Sequence, residues 1–527
     1  MMHSWFERWN RLWGGRPARG WWLALLLASA SIAVAALLYL TRDGAGVSGD
    51  AVHYMQGADN LLAGRGYSRL KAEGTTVPIT AFPPFFSVVL AGLGLFLPVF
   101  DAARLLNALL LGGSVVLLGS LVFRLSGSGV YALLAGWLLM YAESIVRIHA
   151  WVMSEPLFIF LSLLALWWVN DYLFTRRWPP LLAAGLVVGA AALTRYAGLA
   201  LIPAIGLIVL FSGREKGLRR LGHAALFGAA SMLSVVLWFW RNAAVTGSAS
   251  NRVVGYHPMS RELIDFFIDQ IAVFWLPPSI GFLWPYRLVL TVVVLFAGTG
   301  IYLLAWRRAR TAGASQTPAQ MPVLLVVYVF FYIVLLLANT TFLDASTDEP
   351  GIRRYAIPLL PVFIVWAFTT FPLLGDLLGK KRWVGLALAV MGLGMVLYYA
   401  NDSVSYLRHP NYSFGYTDMR RFWECEVTTL HQIDAATPML TNDYELFYFL
   451  ADRVAYTLPK RYDHYQAKEV ADYEEKMDAI RDLLAQDAVL VVFGVPDEYG
   501  EEVKELIAGE SLETWKDCGQ ARFLVLP

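Results

Sequence analysis

Strongly apolar runs of roughly 16 to 22 residues recur along most of this chain, the length that crosses a hydrocarbon layer about 30 Å thick. In lipid the backbone must satisfy its own N–H and C=O groups, so such runs are helices or strands of a closed barrel. Barrel strands alternate apolar and polar residues, and runs such as Trp21–Leu40 or 323–337 do not alternate. The runs are therefore read as helices. Charged residues make up 16% of the chain, against about a quarter in a soluble protein, and the shortfall lies in these runs. The 19 Trp and 25 Tyr suit the water–lipid interfaces. A net charge of +1 offers no basic surface to nucleic acid, so the bilayer is the expected partner.

About eleven spans follow: Trp21–Leu40 and residues 103–123, 129–148, 156–174, 181–193, 197–211, 221–240, 286–306, 322–338, 355–371 and 383–399. The first run has the basic flank of a signal peptide. It reaches about 20 residues without a small-x-small cleavage site, so it is read as an uncleaved span. Alternate connections are basic: Arg8, Arg11, Arg16 and Arg19, then Arg124, Arg176 and Arg177, Arg214, Lys216, Arg219 and Arg220, Arg307, Arg308 and Arg310, and Lys380, Lys381 and Arg382. The positive-inside rule makes these cytoplasmic, leaving the C-terminus outside the plasma (inner) membrane. The apolar run 85–97 breaks the alternation if counted. It follows Phe82-Pro83-Pro84, ends at Pro98 and is only about 13 residues long, so it is placed at the outer interface. The short pair 181–193 and 197–211 is read as a tight outward hairpin with Arg195 at its turn.

This reading divides the chain into a membrane domain, 1–399, with an outer loop at 41–102, and an extracytoplasmic domain, 400–527. In the latter, short apolar runs (438–441, Val489–Phe493, 523–526) alternate with helical patterns (443–451, 470–486, 498–508), the pattern of a small α/β domain. Cys425 and Cys518 both fall here, and spacing leaves a disulfide and two free thiols equally open.

Orientation explains the cytoplasmic Lys and Arg but not Arg147, Arg195, Arg241, Arg353 and Arg354, all at outer helix ends. A guanidinium cluster at one face suits a phosphate head group. The plainer alternative is snorkelling, or pairing with Asp344, Asp348 or Glu349. Two carboxylates share that face: Asp50, opening an amphipathic stretch, and Glu155, where the fourth span begins. An N-cap or a helix-dipole role would account for either without function. His53 lies one helical turn after Asp50, and a polar contact there is read over a metal site because no third ligand is well spaced. No cofactor is firmly implied, and a divalent metal is not favoured.

Ser48-Gly49-Asp50-Ala51-Val52-His53-Tyr54, followed by Ala58-Asp59-Asn60-Leu61-Leu62-Ala63-Gly64-Arg65-Gly66-Tyr67, resembles the first outer loop of GT-C membrane glycosyltransferases. The closer likeness is to the branch holding protein O-mannosyltransferases, lipid A aminoarabinose transferases and related bacterial enzymes. Met153-Ser154-Glu155-Pro156-Leu157, Leu193-Thr194-Arg195-Tyr196, Trp240-Arg241-Asn242 with Gly247, and Arg354-Tyr355 with Pro358 and Pro361 add to it, in order over roughly residues 20–400. The resemblance implies a GT-C-like bundle and an inverting transfer of a hexose or pentose. The donor would be a polyprenyl-phosphate sugar and the acceptor a hydroxyl of a glycan, lipid or protein. It makes Asp50 the base and Glu155 a second acid orienting acceptor or sugar. It gives Arg195, Arg354, Arg353 and Arg241 to the donor phosphate, and His53, Tyr54, Tyr67, Arg147, His149 and Tyr196 to the substrate cavity. Many relatives have an acidic pair where this chain has Asp50-Ala51, so the second acid falls to Asp43 or Glu155. A secondary transporter or lipid flippase, which would carry charges near the midplane, and a non-catalytic envelope assembly protein are the rival readings.

Overall fold

Among the residues described by the computed structural model, 20–72, 75–211, 217–250, 254–311, 320–343, 349–408, 413–463 and 468–527, eight helices are long and apolar enough to span a bilayer. A bent pair raises the number to nine. The chain is a multi-pass membrane protein. The basic N-terminal flank, Arg214, Lys216, Asp344 and Asp348 lie outside the described residues.

The outer segment after α1 (Trp21–Leu40) holds α2 (Gly49–Leu62), a hairpin of β1 (Ser68–Leu70) and β2 (Thr76–Pro78), and α3 (Phe85–Gly94). At ten residues, α3 is about 15 Å long, half of what a span needs. It buries Phe86 and Leu90 against its neighbours and leaves Leu95 and Phe96 beyond its end exposed. Next come α4 (Val99–Ser126), then α5 (Gly129–Tyr141) and α6 (Glu143–His149), which meet at 59°. The sequence reading takes 129–148 as one span. The break lies at Ala142, whose backbone is extended, and the Ser403 hydroxyl donates to the carbonyl of Tyr141 at 2.6 Å. A kink at this depth needs such a partner for its freed backbone groups.

Helices α7 (Glu155–Thr175) and α8 (Trp178–Thr194) pack side by side. A 3-10 turn, Tyr196–Ala200, reverses the chain into α9 (Leu201–Phe211). The reversal needs Gly198, because a Cβ there would stand 2.6 Å from the backbone nitrogen of Ala192. Then follow α10 (Gly217–Thr246), α11 (Arg261–Ala272), α12 (Arg287–Thr311), α13 (Gln320–Phe342), α14 (Glu349–Ala356), α15 (Leu359–Leu378) and α16 (Lys381–Arg408). The apolar windows at α12 and α16 are only 11% and 17% buried, and Phe296, Val390 and Leu397 stand exposed. Water would penalise so much contiguous apolar surface, whereas acyl chains are its ordinary neighbours.

Beyond α16, which extends past the boundary expected at 399, lie α17 (Tyr416–Phe422), α18 (Glu424–Gln432), β3 (Met439–Thr441), α19 (Tyr444–Ala451) and β4 (Tyr456–Thr457). A small hairpin of β5 (Tyr462–Asp463) and β6 (Lys468–Glu469) leads to α20 (Tyr473–Leu484), β7 (Val489–Phe493), α21 (Glu501–Gly509), β8 (Glu513–Asp517) and β9 (Ala521–Val525). The main sheet runs β4-β3-β7-β9-β8. Its first three strands are parallel, and β9 and β8 join antiparallel. All five residues of β7 are buried because the sheet is covered on both sides. Leu490 and Val492 pack with Met477, Ile480 and Leu506, while Val491 and Phe493 pack with Leu430, Phe447 and Leu450. Edge strands β4 and β8 escaped the sequence reading; β4 has two residues and β8 is exposed throughout. Cys425 and Cys518 form a disulfide that ties α18 to the turn between β8 and β9.

Candidate active site

The site is built around the residues that lead into α2. Gly46 donates its N–H to Ala150 O at 2.9 Å and Val152 donates to Gly46 O at 2.8 Å. On the other side Val47 N bonds Phe414 O and Tyr416 N bonds Val47 O, both at 3.0 Å. The segment is thus an extended strip between the loop before α7 and the start of the sheet domain. Only glycine fits at 46, since a Cβ would lie 2.5 Å from the Trp151 ring. This strip fixes where α2 starts. Asp50 sits in its first turn and is not its cap, which is Ser48.

Asp50 instead meets an arginine from far along the chain. Arg354, on α14, donates from Nη1 to Asp50 Oδ2 at 2.9 Å and from Nε to Glu155 Oε1 at 2.8 Å. Arg195, where α8 ends, lies with Nη1 2.9 Å from the same Glu155 oxygen and also donates to Ser154 Oγ at 3.2 Å. Tyr54 shares Ser154 through a 3.1 Å contact between the two hydroxyls. Four elements therefore converge on two carboxylates and two guanidinium groups, with the charges balanced. Glu155 is fully buried, whereas the Asp50 and Arg354 side chains are 34% and 27% exposed. A buried carboxylate of this kind needs its cationic partners. Burial, and next to it the Asp50 charge, push the Tyr54 phenol well above its ordinary range, so it remains a neutral hydroxyl.

Of the residues proposed from sequence, Asp50, Glu155, Arg195, Arg354 and Tyr54 are brought together. Glu155, expected to orient acceptor or sugar, grips both arginines. Asp43 faces Arg421 at 3.7 Å. Arg241 lies apart from this cluster: its guanidinium donates to the carbonyls of Ile79 and Tyr67 at 2.8 and 3.0 Å and so staples the base of the β1–β2 hairpin to α10. Arg147 donates from Nε to Glu143 at 2.7 Å on α6, and Arg353 lies 5.7 Å over the Phe266 ring. Arginine reach lets each find a nearer partner than the centre.

Tyr67 and His149 are buried, with the Tyr67 hydroxyl donating to Phe82 O at 3.3 Å and His149 Nδ1 2.7 Å from Ile145 O. The Tyr196 hydroxyl accepts from Trp238 Nε1 at 2.9 Å. His53 corrects the contact expected within its own turn: its Nε2 lies 3.2 Å from Oε1 of Glu445, on the sheet domain. Sequence reasoning missed Glu445, which carries no local signal, and Ser154, which stood inside a quoted motif without a role. Among the described residues no group of three or more His, Cys, Asp or Glu gathers as a metal site would require.

The fold recurs among solved structures. ArnT from Cupriavidus metallidurans bound to undecaprenyl phosphate superposes with a TM-score of 0.58 at 16% identity, over 96% of this chain and 98% of that one. Its apo structure gives 0.57 at 17%, over 97% and 98%. The chain has the GT-C fold. No family model and no curated protein sequence matches it. At 96–97% of this chain, the correspondence takes in the helical bundle and the C-terminal sheet domain together.

Proposed function

We propose that this GT-C chain is a glycosyltransferase that moves a sugar from a polyprenyl-phosphate donor to an acceptor hydroxyl at the extracytoplasmic face. One observation carries the reading: Arg354 bridges Asp50 and Glu155, with Arg195 on the same glutamate. Support comes from the fold shared with an ArnT bound to undecaprenyl phosphate, and from the basic loops that orient the bundle.

In the reaction the bond between the anomeric carbon and the donor phosphate oxygen breaks, and a bond to the acceptor oxygen forms on the opposite face, inverting that carbon. The acceptor proton passes to Asp50. The departing phosphate gains a second negative charge, so it needs cationic stabilisation rather than a proton. Arg195 and Arg354, oriented by buried Glu155, supply it at low reorganisation cost. Arg354 occupies one oxygen of the Asp50 carboxylate, Oδ2. A donor phosphate competes for that guanidinium, and its arrival frees Asp50 to act.

The test is release of undecaprenyl phosphate and labelled product by purified protein in proteoliposomes. The donors are undecaprenyl-phosphate-linked hexoses and pentoses, with membrane extract as acceptor. Turnover by wild type and none by Asp50→Asn is expected. Wild-type turnover in the Asp50→Asn protein overturns the assignment, and the absence of transfer from every donor overturns the function.

A further inference from the structure

The sheet domain touches one face of the helix that carries Asp50. Gly49, His53 and Gln56 are spaced four and three residues apart, which puts them on one face of α2. All three meet two adjacent residues at the start of α19. A Cβ at Gly49 would stand 3.6 Å from Cγ of Glu445, an ordinary contact. His53 Nε2 lies 3.2 Å from Glu445 Oε1, with the two side chains 15% and 28% exposed. Gln56 donates to the hydroxyl of Tyr444 at 2.9 Å, and that hydroxyl donates to Leu70 O at 2.8 Å. The His53 ring is stacked 5.1 Å from Phe82, so it has little freedom to follow another partner.

We propose that Glu445 is a positioning residue for the Asp50 centre, acting through His53 to hold the first two turns of α2 in register with Arg354 and Glu155. The inference rests on the glycosyltransferase reading above and adds to it that the sheet domain completes the site. Asp50 is one residue from Gly49 and three from His53, so a slide or rotation of α2 moves its carboxylate directly. Displacements near 1 Å cost on the order of 100-fold in rate. Among the described residues Glu445 pairs with His53, while Arg354 and Arg195 pair with Glu155, so loss of Glu445 leaves the partners of the phosphate-binding groups in place.

The experiment uses the full chain in proteoliposomes with an undecaprenyl-phosphate-linked sugar that wild type turns over. Glu445→Gln is expected to lower kcat by about 10- to 100-fold, with unchanged donor KM and unchanged affinity for undecaprenyl phosphate. His53→Asn should match it, and the double variant should be no worse than either single one. A second readout holds even where Glu445→Gln folds poorly. In Gly49→Cys/Glu445→Cys the new side chains begin 3.9 Å apart at Cβ, within the disulfide range of roughly 3.5–4.5 Å. The bond should form on oxidation and raise kcat over that of Glu445→Cys alone.

Wild-type kcat in Glu445→Gln while Asp50→Asn is dead overturns the positioning role and leaves the function standing. So does a fall in undecaprenyl phosphate affinity parallel to kcat, or a crosslink that fails to form or to restore turnover. Failure of wild type to transfer from any lipid-linked sugar overturns both.

Discussion

Removing the charge of Asp50 should abolish turnover and at the same time tighten the grip on the lipid phosphate. In the structure Arg354 is shared between Asp50 and Glu155, and a phosphate that takes the Nη1 hydrogen now given to Asp50 displaces that carboxylate. Hydrogen bonds to charged groups contribute about 1.5–3 kcal/mol. Here both partners are about a third exposed, and solvent screening brings the value to roughly 1 kcal/mol. Asparagine keeps the shape and a neutral acceptor but releases that energy, so affinity for undecaprenyl phosphate should rise roughly five-fold, 1.4 kcal/mol being tenfold. The assay is titration of undecaprenyl phosphate into wild type, Asp50→Asn, Arg354→Ala and the double variant in nanodiscs, beside turnover on the intact donor. The gain should vanish in the Arg354→Ala background, because the coupling runs through that guanidinium. Unchanged or weaker binding in Asp50→Asn, or a gain that survives without Arg354, would refute the competition between carboxylate and phosphate.

Arg195→Ala should weaken undecaprenyl phosphate binding by roughly 10-fold or more, the loss of one charge-assisted contact of about 1.5 kcal/mol, and leave the acceptor KM nearly unchanged; equal effects on both would mark Arg195 as structural. Gly198→Val should lower thermal stability by about 1–3 kcal/mol through overpacking against Ala192 and depress turnover by shifting Arg195, as thermal unfolding and donor kinetics would show together. The Glu445 carboxyl is pushed up by burial but held below the ordinary carboxylate range overall by its hydrogen bond to His53 and the His53 charge, with Arg69 adding to them and Asp443 nearby. Its stabilising contribution is therefore complete above the unfolded carboxylate value and lost as pH falls through the lower folded one. The thermal stability difference between wild type and Glu445→Gln should be present just above the ordinary carboxylate range and should close as pH falls below it, and a difference persisting at the acid end would show that the charge contributes nothing.

The spans were legible because lipid imposes its demand on each run separately: length and apolarity decide the matter without reference to the rest of the chain. The kink at Ala142 was not, since it depends on Ser403 arriving from another helix to take the Tyr141 carbonyl. The short run 85–97 was kept off the spanning set by its length together with the alternation of basic loops, and its helix is ten residues long; 181–193 and 197–211, read as spans, also form helices shorter than a full crossing. Strands buried on both faces, such as Val489–Phe493, announce themselves as continuous apolar runs, while the exposed edge Glu513–Asp517 reads as a loop.

For the rim arginines, sequence supplied sidedness and could not supply partners. A guanidinium on a long stem reaches many acceptors, and which it meets is settled by the fold: Arg241 finds the Tyr67 and Ile79 carbonyls, Arg353 a phenyl ring, Arg354 two carboxylates. Asp50 and Glu155 were separable from capping residues only through their partners, because an acid in a first turn is favourable at any helix start. Burial makes the difference physical. Glu155, with no solvent exposure, cannot keep its charge without Arg195 and Arg354, and a cation bound to a carboxylate that no solvent reaches is held in a fixed direction. That direction is what a transferring phosphate needs. The proposed mechanism also fits the greater exposure of Asp50: the buried acid orients the cations, and the accessible one is the carboxylate proposed to take the proton.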